Sequence, residues 1–298
     1  MHTENESAAL ELEILSDHPI RVAIQGFEGA FHEIAARHFF APRAVQVVPC
    51  ETFEDLVSAV ESGTSADVGI MAIENTLAGS LMGNYQLLNK SSVRISGEVF
   101  LRVKQNLMAL PGTSIADLRE VYSHPIAIAQ CTAFFRNYPH IKLIEGLDTA
   151  LSARDVRDSG DRHRGAIASE LAAGLYGLDM LAPGIETNKK NHTRFLILEQ
   201  HLPIVPPHAE KEKISLSFSV DHEIGSLYQV LGVLAAYQVN LTKIQSTPII
   251  GKPWEYMFFV DFLVEGKFSS NQAIDAILPL THDLKVLGTY PEGRHFDH

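Results

Sequence analysis

Small polar side chains and glycines occupy four short turns of this chain. Three of them follow an apolar stretch and precede a helix start, and the fourth begins an apolar strand. The four turns are Gly26–Phe31, Ile73–Ser80, Ser123–Pro125 and Thr193–Phe195. Hydroxyl, amide and backbone N–H groups at helix starts bind anions, and an arginine binds a carboxylate through two parallel hydrogen bonds. These groups predict a cleft for a small substrate that carries more than one carboxylate.

Alternating strands and helices would position these turns. From Arg21 onward, short apolar strands are followed by segments with apolar residues at helical spacing, which predicts a mainly parallel sheet with helices on both faces. Pro111-Gly112 opens a second round of the same pattern. Two similar lobes joined by extended segments would leave a cleft between them, where polar residues at strand ends would meet.

A different pattern follows Pro203, Pro206 and Pro207, which mark a linker. The order strand, helix, strand, strand, helix, strand predicts a ferredoxin-like βαββαβ domain, and such domains can pair through their sheet edges. The predicted organisation is therefore an N-terminal tail, a two-lobed α/β domain, a linker and a small C-terminal domain. The corresponding residues are 1–20, 21–200, 201–212 and 213–291.

Composition excludes several classes of function. A net charge of −12 argues against nucleic acid or anionic lipid as the main partner, since both require basic patches. No apolar run reaches the roughly 18 residues that span a membrane. Cys50 and Cys131 form no Cys-x-x-Cys pair, and no His-Glu-x-x-His spacing occurs. We therefore expect a cytoplasmic protein that needs no metal and no other cofactor.

Each candidate residue also has an ordinary structural explanation. Gly26 and Gly29 serve tight turns, and the Glu74-Asn75 pair serves helix starts. Thr193 suits a strand because it is β-branched, and Arg194 alone would most often be a surface charge or a structural ion pair. The combination of polar turns at strand ends is more informative than any one of them.

In this order the segments resemble the prephenate dehydratase family. The resemblance rests on Gly26–Phe31, Ile73–Ser80, Ser123–Cys131, Ile167–Glu170 and Thr193–Phe195, and it covers about residues 21–290. It implies a monofunctional enzyme with a two-lobed, periplasmic-binding-protein-like catalytic domain and a C-terminal ACT regulatory domain. The implied reaction is loss of carbon dioxide and water from prephenate, which gives phenylpyruvate for phenylalanine biosynthesis.

The resemblance also implies roles for individual residues. Those expected to take part in catalysis are Thr193, Glu74, Asn75, Ser123 and Gln130. Those expected to bind substrate are Gly29, Ala30, Phe31, Ser80, Ser169, Arg194 and Phe195. Phe27, Ala30 and His32 stand where the family often has proline, threonine and a second hydroxyl. Backbone N–H groups would then replace the missing hydroxyl contacts at this turn. Arg194 could either bind a substrate carboxylate directly or support the site from behind.

Phenylalanine is the effector that the resemblance implies. The expected binding residues lie in the C-terminal domain: Gly225, Ser226, Leu227, Asn240, Leu241, Gln245 and Ser246. The last two belong to Gln245-Ser246-Thr247-Pro248, where the family has Glu-Ser-Arg-Pro. A homodimer or homotetramer is expected from edge pairing. Arogenate as the substrate, or a non-catalytic two-lobed carboxylate sensor, are the alternatives that the sequence leaves open.

Overall fold

A computed structural model describes residues 18–200, 212–264 and 268–297. Most of the predicted tail and most of the predicted linker lie outside these ranges, and β1 already begins at Ile20, within the predicted tail. Among the described residues no helix is both long enough and apolar enough to cross a membrane.

The first lobe begins with alternating strands and helices, as predicted. Its elements are β1 Ile20–Gln25, α1 Phe31–Phe40, β2 Val45–Cys50, α2 Phe53–Ser62, β3 Val68–Asn75, β4 Gly79–Ser80 and α3 Met82–Lys90. Local sequence explains the boundaries of α2. Thr52 and Asp55 form a reciprocal capping box at its start, and Gly63 ends it with a φ of 63°.

The second lobe repeats the pattern and is reached by two crossing connections. β5 Arg94–Arg102 still belongs to the sheet of the first lobe and leads out of it. The strands and helices of the second lobe are β6 Asn106–Ala109, β7 Glu120–Ser123, α4 Pro125–Phe135, β8 Lys142–Glu145, α5 Thr149–Ser159, β9 Arg164–Ala168, α6 Glu170–Tyr176 and β10 Asp179–Ala182. A 3-10 turn spans Ile115–Asp117. The chain then returns to the first lobe as β11 His192–Glu199.

The C-terminal domain has the predicted βαββαβ order. It consists of β12 Glu212–Ser219, α7 Ser226–Ala236, β13 Val239–Pro248, β14 Tyr256–Val264, α8 Ser270–Ile277 with a 3-10 turn Leu278–Leu280, β15 His282–Pro291, and a short final strand β16 Arg294–Phe296. Phe218, Val230, Phe262 and Ile277 are fully buried in its core, which lies between the sheet and the two helices.

The described strands form two mixed sheets, so the prediction of mainly parallel sheets was wrong in this detail. The first sheet has the order β13-β14-β12-β15-β5-β11-β3-β1-β2, and the second has β10-β6-β9-β7-β8. β1, β2 and β3 are parallel, as are β7, β8 and β9, but β11 and β6 run antiparallel to their neighbours. The reason is the connection between lobes, because a chain that returns from one lobe must enter the other sheet in the opposite direction.

The C-terminal domain extends the sheet of the first lobe. The junction is a close approach of β15 to β5, where Gly288 pairs with Ile95. A Cβ atom on Gly288 would lie 2.1 Å from the carbonyl oxygen of Ile95, so only glycine allows this approach. The far edge of the sheet is β13.

Candidate functional site

The alternation of side chains along β3 and β11 places the candidate residues on two faces of the sheet. Thr193 pairs with Asn75 and Arg194 with Glu74, and beyond them Phe195 pairs with Ala72, so Ile73 is the additional residue of a β-bulge. Asn75 therefore shares a face with Thr193, and Glu74 shares the opposite face with Arg194. Glu74 and Asn75 are adjacent in sequence and point to opposite faces because successive side chains of a strand alternate.

A network of amides surrounds Thr193 at the strand ends. Asn75 Nδ2 donates to Thr193 Oγ1 at 3.0 Å and to Asn191 Oδ1 at 2.7 Å. Asn191 Nδ2 in turn donates to Gln130 Oε1 at 3.0 Å. Asn75 and Thr193 belong to the first lobe and Gln130 to α4 of the second, so the network joins the two lobes. The structure thus brings together three of the five residues expected in catalysis.

The orientation of this network leaves the Thr193 hydroxyl proton free. Asn75 Oδ1 accepts from the backbone N–H groups of Leu77 and Ala78, both at 2.9 Å, which fixes the amide so that its Nδ2 faces Thr193. Thr193 Oγ1 is therefore an acceptor in this bond, and its own proton can be donated to a substrate oxygen. Only 8% of Thr193 is exposed, so such a bond would be shielded from water.

Gln130 has a second group available for substrate. Its Oε1 accepts from Asn191 and its backbone carbonyl accepts from the Thr187 N–H at 2.9 Å. No hydrogen bond involves Gln130 Nε2 within the part of the chain that the structure describes. The side chain is half-buried, so Nε2 can reach a ligand between the lobes.

Ser123 and Ser169 are used within the protein framework. Ser123 is fully buried and its hydroxyl donates to the Ile167 carbonyl at 2.7 Å, between β7 and β9. Ser169 Oγ caps α6 by accepting from the Ala172 N–H, and it donates to the Gly29 carbonyl of the other lobe at 2.5 Å. Both hydroxyls thus already have backbone partners, and Ser169 fixes the closed arrangement of the lobes.

Two backbone donors of the first turn already have partners within the protein. Gly29 N–H donates to Glu33 Oε2 at 2.6 Å, and Ala30 N–H donates to the Phe27 carbonyl at 3.0 Å. A Cβ atom on Gly29 would lie 2.9 Å from Ala172, which shows how tightly this turn packs on α6. Gly29 and these two N–H groups thus serve lobe contact and local structure, and the substrate-binding role of Gly29, Ala30 and Phe31 stays a prediction.

Glu74 and Ser80 are held together by a lysine of the C-terminal domain. Lys243 Nζ donates to Glu74 Oε2 at 2.5 Å and to Ser80 Oγ at 2.9 Å. Burial lowers the pKa of Lys243, and the hydrogen bond to Glu74 acts in the opposite direction. Glu74 therefore faces this lysine and not the Thr193 hydroxyl, which does not favour Glu74 as the proton source.

Arg194 braces the site from behind. Its guanidinium donates to Glu98 Oε2 at 2.7 Å, to Asp261 Oδ2 at 2.5 Å and to the Tyr290 hydroxyl at 3.0 Å. Burial alone would lower the pKa of Arg194, but Tyr290, Asp261 and Glu98 together raise it well above its usual value. Only 5% of Arg194 is exposed, and its fork is fully occupied. The geometry favours the bracing role over the carboxylate clamp.

Phe195 and Phe31 provide apolar surroundings. Phe195 is 1% exposed and packs edge-on against the His32 ring, with centroids 5.0 Å apart. Phe31 lines a cavity of about 280 Å³ between the lobes, together with Leu101, which pairs with Thr193 across the sheet. Arg37, His38, Arg102 and Lys104 also line this cavity. Glu170 is the acidic residue of the lining, so the basic residues outnumber it. The apolar wall and mainly basic rim suit an anionic ring compound.

The residues expected to bind the effector lie on two elements of the C-terminal domain that pack together. Gly225, with a φ of 87°, precedes α7, whose first residues are Ser226 and Leu227. Asn240, Leu241, Gln245 and Ser246 lie on β13, against which α7 packs. Asn240, Leu241 and Ser246 are exposed. The structure gives no ligand contact here, so their role stays a prediction.

Three important residues were missed at the level of sequence. Asn191 is fully buried and links Asn75 to Gln130; its position two residues before Thr193 was an available signal. Lys243 comes from a different domain, and no local pattern predicted that it would contact Glu74. His32 was noted only because it stands where the family often has a hydroxyl side chain.

Comparison with known proteins gives the same interpretation for most of the chain. The prephenate dehydratase family model matches residues 22–202. A chloroplastic arogenate dehydratase/prephenate dehydratase of Arabidopsis thaliana is 38% identical over 285 residues, which is 91% of this chain and 73% of the relative.

Solved structures agree in fold. A prephenate dehydratase from Arthrobacter aurescens, solved with L-phenylalanine, has a TM-score of 0.80 at 24% identity and covers 92% of this chain and 90% of its own. GqqA, described as a novel type of quorum quenching acylase, has a TM-score of 0.81 at 32% identity and covers 91% of this chain and 98% of its own. The family match, the curated relative and the two-lobed α/β fold together show that this chain belongs to the prephenate dehydratase family of lyases.

Proposed function

We propose that this chain converts prephenate to phenylpyruvate, carbon dioxide and water, and that phenylalanine regulates it. The observation that carries the proposal is the network through which Asn75 and Asn191 join Thr193 to Gln130 of the other lobe. In this network the Thr193 hydroxyl proton and the Gln130 Nε2 group are free to contact a ligand between the lobes. The place is half-buried, and no side chain of the network is ionised.

The proposed reaction needs orientation and stabilisation of a leaving group. The bond from the ring to its carboxylate breaks, its electrons form the aromatic system, and the ring C–OH bond breaks on the opposite side. The departing hydroxide takes a proton and leaves as water. Thr193 donates a hydrogen bond to that oxygen, which stabilises the developing negative charge. A threonine hydroxyl is too weak an acid to supply the proton alone, so it acts as a stabiliser or a relay.

Substrate carboxylates should be bound by groups other than Arg194, which is buried and donates from each of its three nitrogens to Glu98, Asp261 or Tyr290. Gln130 Nε2 is one candidate, and Arg102 and Lys104 on the rim of the neighbouring cavity supply positive charge. Holding the ring between the lobes removes much of the orientational entropy, and this can contribute up to about 7–11 kcal/mol to a reaction barrier.

Effector binding is proposed for the C-terminal domain. Gly225–Leu227 and β13 form the predicted phenylalanine site, and a neighbour of the same fold was solved with L-phenylalanine. β13 is an edge strand of the sheet, so a second copy can pair with it and make the proposed homodimer, from which a homotetramer can assemble. The cytoplasmic location also stays a prediction.

Arogenate is the closest alternative substrate. It carries an amine where prephenate has a keto group, and the Arabidopsis relative is named for both activities. The described groups around Thr193 act at the ring hydroxyl, which the two compounds share. The relative turnover of prephenate and arogenate by the purified chain decides between them.

An acylase activity is a second candidate because GqqA is 32% identical to this chain. Acyl transfer needs a nucleophile activated by a base. Within residues 18–200, Thr193 Oγ1 accepts from the Asn75 amide, and no imidazole or carboxylate is hydrogen-bonded to it. The geometry therefore supports the lyase better than an acylase.

The test is product formation by the purified full-length chain. Phenylpyruvate should appear from prephenate at a rate proportional to enzyme concentration, and Thr193→Ala should abolish most of it. Hydrolysis of an N-acyl substrate without phenylpyruvate or phenylalanine formation would support the acylase. Tight prephenate binding with no product would support the non-catalytic sensor.

A further inference from the structure

Lys243 reaches out of the C-terminal domain and contacts both arms of the Ile73–Ser80 turn. It lies on β13, yet only 6% of its side chain is exposed, because it is enclosed by residues of the first lobe. Its two partners, Glu74 and Ser80, pair with each other across β3 and β4. One ammonium group therefore holds the two ends of the hairpin together.

Asn75 lies inside this hairpin, one residue after Glu74 and paired with Gly79. Its side chain faces the opposite side of the sheet and orients Thr193. A shift of the hairpin would therefore move the amide that fixes the catalytic hydroxyl. Glu74 has 41% of its side chain exposed, so packing alone does not fix its position and the ion pair matters.

Side chains alternate along β13, so that only some of them face the first lobe. Lys243 and Thr247 face the first lobe, where Thr247 Oγ1 accepts from Gln86 Nε2 at 2.7 Å. Ile244 and Ser246 lie between them along the strand and are exposed. Between Lys243 and Thr247 the strand thus presents one face to the catalytic lobe, while Ile244 and Ser246 on the other face are exposed.

The buried ammonium group of Lys243 requires the contacts with Glu74 and Ser80. A buried ammonium without partners is strongly unfavourable, and the Tyr85 ring is a further neighbour, with its centroid 5.1 Å from Nζ. Loss of the lysine would leave the Glu74 carboxylate unpaired at the domain boundary, where the hairpin could relax toward solvent.

We propose that Lys243 is a positioning residue for the dehydration site. Through Glu74 and Ser80 it holds the hairpin that places Asn75, and so the C-terminal domain completes the catalytic site of the first lobe. The inference rests on the proposed dehydratase function and adds a residue from the other domain to its machinery.

The test compares Lys243→Met with Lys243→Arg and with Lys252→Met in the full-length chain. Lys252 is a matched control because it lies in the same domain with 53% of its side chain exposed and an ion pair to Glu255. Lys243→Met should lower kcat by roughly ten- to hundredfold, as expected for a small misplacement of a catalytic group, with a much smaller change in KM. Lys243→Arg should recover part of the loss, and Lys252→Met should behave as wild type.

Hydrogen exchange supplies a readout that does not depend on turnover. In Lys243→Met, amides of residues 73–81 should exchange several-fold faster, while the cores of both domains keep their protection. Unchanged kcat and unchanged exchange at this hairpin would overturn the proposal, as would faster exchange spread over the whole C-terminal domain. A wild-type chain inactive on both prephenate and arogenate would refute the proposed function, and the exchange of the hairpin would still decide the role of Lys243.

Discussion

Arg194 and Asp261 belong to different domains, and their side chains meet with Nη1 and Oδ2 2.5 Å apart. Arg194 follows Thr193 directly on β11, and Asp261 lies in the middle of β14. Both side chains are at most 5% exposed. The residue next to Thr193 is therefore part of the domain boundary, which explains why an arginine follows Thr193 although its guanidinium lies on the other face of the sheet.

Arg194→Lys should mainly reduce stability. Lysine keeps the charge but cannot serve Glu98, Asp261 and Tyr290 together through a planar fork. Breaking part of this buried network should cost about 1–3 kcal/mol in the free energy of unfolding, measured by urea denaturation. Arg21→Lys is the control, because its pair with Asp67 is about one-third exposed and should matter little. A pure increase in KM with unchanged stability would restore the carboxylate clamp.

Thr193→Ala should lower kcat by roughly a hundredfold or more, on the scale of a lost transition-state hydrogen bond. Substrate affinity should change less, since the bond forms mainly to the departing oxygen. Thr193→Ser keeps a hydroxyl that can accept from Asn75 and should retain much more activity. Steady-state kinetics of the folded variants test this role, and near wild-type turnover of Thr193→Ala would contradict a catalytic role for Thr193.

Asn191→Ala tests the amide network. Its removal takes a hydrogen-bond partner from Asn75 Nδ2 and from Gln130 Oε1, which breaks the link between the Thr193 network and the second lobe. We expect kcat to fall roughly tenfold or more, because positions of catalytic groups are sensitive to such loss. Asn188→Ala, at a nearby exposed position, should leave kcat unchanged. Equal effects of the two substitutions would show that the network does not orient Thr193.

His32 should make folding stability depend on pH. Burial lowers its pKa from 6.5 to about 4. Between these values the unfolded chain binds more protons than the folded chain, so this contribution to stability is complete above about pH 6.5 and is lost as the pH falls toward 4. The full effect is at most about 3 kcal/mol. His32→Gln should flatten this part of the stability–pH curve, whereas exposed His140→Gln should not. An NMR titration midpoint near 6.5 for His32 in the folded chain would contradict the prediction.

Sequence alone predicted most elements and part of the site. The bounds of α1 and β14 agree with the structure, since helical spacing at Phe31–Phe40 and the apolar run at Tyr256–Val264 are strong local signals. Local patterns do not encode strand direction after a crossover, and therefore the antiparallel placement of β11 was missed. The short strands β4, β10 and β16 lack periodicity because they contain four residues or fewer.

For the candidate site, too, local motifs could be predicted from the sequence and long-range contacts could not. Asn75, Gln130 and Thr193 were found because their motifs are local, and the structure brings them together. Glu74 lies on the other face of the sheet from Asn75, since successive strand side chains alternate, and there it contacts Lys243 of another domain. The partners of Arg194 and Lys243 are 67 and 169 residues away along the chain, at distances where no sequence period applies.

Phenylalanine should bind to the C-terminal domain and inhibit turnover. Gly225 precedes α7 with a φ of 87°, and the N–H groups beyond it can bind an amino-acid carboxylate. Gly225→Ala would strain this turn by about 1–2 kcal/mol, which should weaken phenylalanine binding roughly tenfold in calorimetry. Gly251→Ala is a matched control, because Gly251 has a φ of 83° in the same domain and no atom within 4 Å of an added Cβ, as at Gly225. Its strain should be similar and its phenylalanine affinity unchanged.

Inhibition further requires tighter binding to the less active state, since equal affinity shifts no equilibrium. A full-length enzyme that neither binds phenylalanine nor changes its rate with it would reduce this domain to a dimerisation module that also carries Lys243.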